Sequence, residues 1–119
     1  MSDLRRAAER RGQMAEWAAA LLLACKGYRI LAHRYRTSVG EIDLIARRGE
    51  RIAFVEVKTR GTAAAAAEAI GPRQQQRIVR AAEYWMARHA PQGDWEFGFD
   101  VVLVAPWSFP RHLPNAFGI

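Results

Sequence analysis

Apolar and polar positions follow two different periods along this chain. From Met14 to Cys25 every residue except Glu16 is apolar, an unbroken run of helical length. Ser2 or Asp3 caps its charged start and Gly27 stops it, which predicts a first helix to about Lys26, buried all round. Tyr28–Arg36 alternates, with Tyr28, Ile30 and Ala32 on one face and basic residues on the other, as a first strand would. Ile42–Ala46 and Ile52–Val57 are rich in Ile, Val and Phe and flank a Gly-containing turn, which reads as a hairpin. Gly61–Ala69 is small-residue and low in complexity, a connector or a mobile loop. Pro72 opens a second helix to about Ala90, stopped by Pro91, with Ile78, Val79, Ala82, Trp85 and Met86 at core spacing. Trp95–Ala105 is nearly continuous apolar sequence and predicts a buried fourth strand. The three prolines from Pro106 onward predict an irregular tail, with Trp107, Phe109 and Phe117 sealing an edge or a dimer contact. The element order α-β-β-β-α-β gives an antiparallel meander, then a helical crossover that permits parallel pairing. The fold class expected is α/β, a mixed four-stranded sheet flanked by helices, in one domain over residues 1–119.

Charge interrupts the strands where burial is expected, at Asp43, Glu56, Lys58 and Asp100. With Gly49-Glu50 as a type II′ loop, Arg48 pairs with Arg51, which puts Asp43 opposite Glu56 and Glu41 opposite Lys58. Sliding the loop to Arg48-Gly49 keeps Asp43 and Glu56 on one face; only a bulge or a three-residue loop separates them. Opposed carboxylates on a largely buried hairpin repel. Either one takes up a proton or a cation sits between them. A hard ion such as Mg²⁺ or Mn²⁺ suits one or two carboxylates with water and phosphate oxygens. Lys58 emerges on the face of Glu56, placed to orient water or neutralise phosphate, the outline of metal-assisted phosphodiester hydrolysis. The plainer alternative is a surface ladder of Glu41–Lys58 and Asp43–Arg ion pairs. Glu16 sits either at the exposed edge of its helix or toward the cleft of Asp43. Asp100 needs a partner or a place in the site.

Composition adds partners and compartment. The 119 residues carry a net charge of +6, and 16 of the 18 basic residues are Arg, whose planar fork matches phosphate. Arg34 and Arg36 on the first strand, Arg60 after the third, and Arg73, Gln75 and Arg77 at the second helix start are the candidate nucleic-acid contacts. Cys25 alone excludes an internal disulfide and a cysteine zinc site; it is expected in the core, and a reducing cytosol fits. His33 has no second histidine at ligand spacing. No stretch reads as a signal peptide or membrane span.

An acid on the first helix, an Asp on the second strand and Glu-x-Lys on the third resemble the PD-(D/E)XK restriction-endonuclease-like superfamily. More closely, G-E-I-D-L-I (40–45), F-V-E-V-K-T-R (54–60), F-D-V-V (99–102) and H-L-P-N-A-F (112–117) resemble the YraN family of bacterial proteins, which is distantly similar to archaeal Holliday-junction resolvases. The resemblance implies a restriction-endonuclease-like αβββαβ core. It implies that Asp43, Glu56 and the Val57 carbonyl bind Mg²⁺, that Lys58 positions the attacking water, and that Glu16 reaches the metal through water. Gln75 matches a family glutamine. Relatives have Asn where Arg34 stands and Lys where Gln74 stands. The function implied is a metal-dependent DNA endonuclease, acting on branched or junction DNA as a homodimer. The alternatives are a nucleic-acid-binding module that does not cut, and a module whose basic surface meets an acidic protein.

Overall fold

The computed structural model describes residues 2–62, 65, 68–89, 92–106 and 108–118. Helix α1 spans Asp3–Cys25, β1 Arg29–Arg36, β2 Glu41–Arg48, β3 Arg51–Lys58, α2 Pro72–His89, β4 Glu96–Leu103 and β5 Arg111–Phe117. One sheet in the order β1-β2-β3-β4-β5 holds the strands. Only β3–β4 is parallel, as the α2 crossover requires; the other pairs are antiparallel. The α/β mixed sheet is therefore as expected, with one strand more.

The hairpin register matches the expected one. Arg48 pairs with Arg51 and Leu44 with Val55. Gly49 has φ 60° while Glu50 does not have positive φ, which fits a type II′ loop and excludes type I′.

The helices cover opposite faces of the sheet. Ala19, Ala20 and Leu23 of α1 pack on Leu44, Ala46, Ala53, Val55 and Val102. Ile78, Ala81, Ala82 and Trp85 of α2 pack on Ile45, Ile52, Phe54, Phe99 and Val101. Ser2 caps α1 by accepting from Arg5 N, and Gly27, at φ 91°, ends it. Pro72 occupies the first position of α2; the expected stop at Ala90 and Pro91 lies outside the described residues.

Four expectations are corrected. First, α1 is not buried all round: Met14, Trp17 and Leu21 are about two-thirds exposed or more, because the helix meets the sheet along one face only. Second, Cys25 is exposed at the helix end rather than in the core. Third, β1 carries a bulge between Ile30 and Ala32. Ile30 therefore packs toward α1 while Ala32 and Tyr35 pack toward α2, and Tyr28, Ile30 and Ala32 do not share a face. Fourth, the proline-rich tail is not irregular throughout. β5 is an edge strand, where Pro114 sacrifices no sheet bond that the core needs. Phe117 stacks on Phe99 at 5.2 Å and does seal that edge, whereas Phe109 is 91% exposed and Trp107 lies outside the described residues.

Candidate active site

β2 stays paired with β1 as far as Arg36↔Glu41, but its ladder to β3 stops at Leu44↔Val55. Gly40 supplies a reason. It packs so close to α2 that a Cβ there would collide with the Arg77 carbonyl, and Thr37 Oγ1 ties off both its N–H and its C=O. The start of β2 is thereby held against α2 and away from β3.

The next pair in register, Asp43 and Glu56, faces across the gap. Asp43 Oδ2 accepts the Val57 N–H at 2.8 Å, where a backbone carbonyl would have served in a continuing ladder. Lys58 O accepts from Val104 N on the β4 side, so strand alternation turns the Val57 carbonyl to the opened edge beside Asp43. Lys58 Nζ stands 3.9 Å from Glu56 Oε1. The three charged side chains thus converge. Glu41 pairs with Arg36 at 3.5 Å rather than with Lys58, so the alternative surface ladder does not form.

The electrostatics are those of a site short of positive charge. Burial, then the neighbouring Asp43 carboxylate, pushes Glu56 up to about 8 against the pull of Lys58. Burial also raises Asp43, partly offset by the Val57 N–H, with Glu16 and Glu41 adding to the rise. Two raised carboxylates and a carbonyl on one edge form a hard oxygen set that fits a divalent ion better than it fits itself.

Glu16 is 9% exposed and turns toward the cleft, not the helix edge. It lines a polar pocket of about 110 Å³ with Asp43, Arg34, Arg36 and Glu41. It accepts from Arg34 Nε at 2.9 Å and meets His33 Nε2 at 3.0 Å. The pairs His33↔Leu44 and Tyr35↔Ile42 place Arg34 opposite Asp43, and Arg34 adopts φ 54° there. Among the described residues, no three His, Cys, Asp or Glu side chains form a ready ligand cluster.

The other basic candidates spread around this centre. Arg36 is exposed beside Glu41, Arg73 and Arg77 are exposed on α2, and Arg60 lines a groove of about 930 Å³ beside α1. Gln75 turns its amide to the Ile70 carbonyl at 2.8 Å. Gln74 is the residue that reaches the carboxylates: its Nε2 donates to Glu56 Oε1 at 2.9 Å and its Oε1 accepts from Lys58 Nζ at 3.5 Å. Sequence reasoning read Gln74 only as part of a helix start suited to phosphate, not as a partner of the carboxylates, although a signal existed. Gln74 lies one helical turn before Ile78, on the stripe that faces the sheet.

Asp100 belongs to a different place. It accepts both Arg51 Nη atoms at 2.8 Å, His112 Nε2 at 2.7 Å and Asn115 N at 2.9 Å.

Comparison with known proteins agrees with the motifs. The family described as "Uncharacterised protein family UPF0102" matches residues 15–104. The chain belongs to the UPF0102 family, the YraN family that its motifs resemble. A UPF0102 protein of Rhodopseudomonas palustris is 57% identical over 111 residues, covering 93% of this chain and 82% of the relative. One from Mesorhizobium japonicum is 53% identical over 116 residues, covering 98% and 93%. One from Maricaulis maris is 52% identical over 112 residues, covering 94% and 88%. The family match contains Glu16, Asp43, Glu56 and Lys58 and stops before β5. No described helix of this UPF0102 chain is long and apolar enough to cross a membrane.

Proposed function

We propose that this protein is a divalent-metal-dependent nuclease acting on DNA, with branched or junction DNA as its substrate. The observation that carries the reading is the opened end of the β2–β3 hairpin. There Asp43 and Glu56 face each other beside the Val57 carbonyl, with Lys58 at 3.9 Å from Glu56. Asp43, Glu56 and the Val57 carbonyl would hold Mg²⁺ or Mn²⁺, which supplies Lewis-acid stabilisation of the phosphodiester under attack. Lys58, held by Gln74, orients water with its ammonium and shields charge that develops on phosphate. Arg34, Arg36, Arg60, Arg73 and Arg77 offer forks for flanking phosphates. A homodimer, implied by the resemblance to junction resolvases, belongs to the same reading and is tested by sedimentation.

The test is cleavage by the purified full chain, with Mg²⁺ or Mn²⁺, across linear, flapped and branched DNA. Metal-dependent cleavage is expected, falling by roughly 10²-fold or more in Asp43→Ala and Lys58→Ala, since a preorganised charged group typically contributes that much. Absence of cleavage across the panel, or cleavage indifferent to both substitutions, overturns the proposal.

A specific feature favours a second reading. Glu16 is already engaged by Arg34 and His33. A nucleic-acid-binding module that has kept the fold without cutting would show affinity falling steeply with salt and unchanged by Asp43→Ala.

A further inference from the structure

Not every aromatic ring gathered on the α2 face of the sheet is core. Between the second half of α2 and the β1–β2 side of the sheet lies a pocket of about 370 Å³, whose lining includes Tyr35, Trp85, His89, Trp95 and Arg47. Trp85 and His89 stack at 5.3 Å and 20°, and Tyr35 stands edge-on to His89 at 6.3 Å. Opposite them the Arg47 guanidinium lies 4.4 Å over the Trp95 ring. Next to the pocket, Arg88 lies 3.5 Å over Tyr84, whose ring is 6.5 Å from Tyr35. An Arg–aromatic pair therefore flanks each side of the Tyr35–His89–Trp85 cluster, in which Trp85 is itself a buried core ring. Such interleaving suits single-stranded nucleic acid, because every base has a π-face and every phosphate a charge. The volume falls within the usual range for a small planar ligand.

Position ties the pocket to the site. Tyr35 follows Arg34 and pairs with Ile42, the neighbour of Asp43. Along α2, Trp85 follows Gln74 by 11 positions, about 16 Å of helix. A strand of a few nucleotides is long enough to span that separation.

We propose that the pocket between α2 and β1–β2, lined by Tyr35, Trp85, His89, Trp95 and Arg47, receives an unpaired nucleobase. The inference rests on the nuclease reading for its substrate and narrows that substrate to one with a single-stranded or splayed segment. A base slides against Trp95 in place of the Arg47 guanidinium, and the displaced Arg47 is then available to the adjoining phosphate.

The experiment is carried out on the full chain in EDTA, so that cleavage does not enter. Labelled oligothymidylate is compared by fluorescence anisotropy with an abasic oligomer carrying the same number of phosphates. The base-bearing strand is expected to bind about five- to a hundred-fold more tightly, the range for one stacked base, and to quench tryptophan emission where the abasic strand does not. Trp95→Leu removes the preference and leaves abasic binding unchanged; Trp95→Phe retains most of it. Equal affinity of the wild-type chain for base-bearing and abasic strands overturns the proposal, whatever the variants do. Cleavage lost in Asp43→Ala, alongside equal affinities here, would leave the nuclease reading standing alone; a base preference in a chain that never cuts would do the opposite.

Discussion

Asp100 and the Asp43–Glu56 pair are carboxylates buried in the same sheet, and the fold treats them in opposite ways. Asp100 is completely buried and receives four donors, two from Arg51, one from His112 and one from the Asn115 backbone. Burial works against its charge, but Arg51, His112 and the Asn115 N–H outweigh it and bring the group down to about 2. A bulge in β5 accompanies this arrangement. The register shifts between Phe99 and Val101, and Asn115, at φ 52°, aims its N–H at the carboxylate. Glu56, by contrast, has one neutral amide and an ammonium at 3.9 Å, and is pushed up to about 8 by burial and Asp43. A chain able to neutralise one buried acid so completely leaves the other two short of charge where a strand pair has been opened. The contrast separates a structural ion cluster from a pair of buried acids left short of positive charge.

The largest effect expected from breaking this comparison is on the satisfied side. Asp100→Ala strands Arg51 in a partly buried position and should cost about 3–5 kcal/mol, read from urea denaturation. In the wild-type chain this contribution is present above the ordinary carboxylate value, near 4. It is lost as pH falls from there through about 2, so Asp100→Ala should flatten that part of the acid limb.

Glu56 runs the other way. Its folded value lies above its unfolded one, so the native chain binds the extra proton and stability falls as pH rises from the ordinary value, 4.5, through about 8. Glu56→Gln should therefore be more stable than wild type at pH 8, by of order 2–3 kcal/mol, with the two converging below pH 4.5. Mg²⁺ should restore wild-type stability at pH 8 and leave Glu56→Gln unaffected. A wild-type chain with flat stability from pH 5 to 8 would sink the claim that the pair is short of charge.

The smallest effect sharpens the comparison by making the two places alike. Gln74→Lys puts an ammonium where a neutral amide now meets Glu56. It should lower the Glu56 titration midpoint, measured by NMR, and raise stability at pH 8 by about 1 kcal/mol, while reducing the gain from Mg²⁺.

Much of this site was legible in the chain. Strand alternation keeps Asp43 and Glu56 on one face under either two-residue loop, and the Gly49-Glu50 loop that forms sets them in opposition. Lys58 follows from the same alternation. Glu16 and Asp100 were open questions because a charged residue in an apolar run needs a partner, and the partners come from other elements: Arg34 and His33 across α1–β1, Arg51 and His112 across β3–β4–β5. β5 was missed because prolines argue against a strand unless it is known to be an edge, and edge position is a property of the whole sheet.

The sequence by itself determined the order of elements, the hairpin and the pair of opposed acids, since these depend on local period and on turns a few residues long. Tertiary structure alone decided that β2 parts from β3 at Asp43, where Gly40 is pinned against Arg77 of α2. It also decided that Gln74 rather than Gln75 reaches Glu56, and that the aromatic rings of α2 gather with Trp95 and Arg47. Those outcomes depend on where a helix settles on the sheet, which follows from burying many distant side chains at once and is written in no short stretch of the chain.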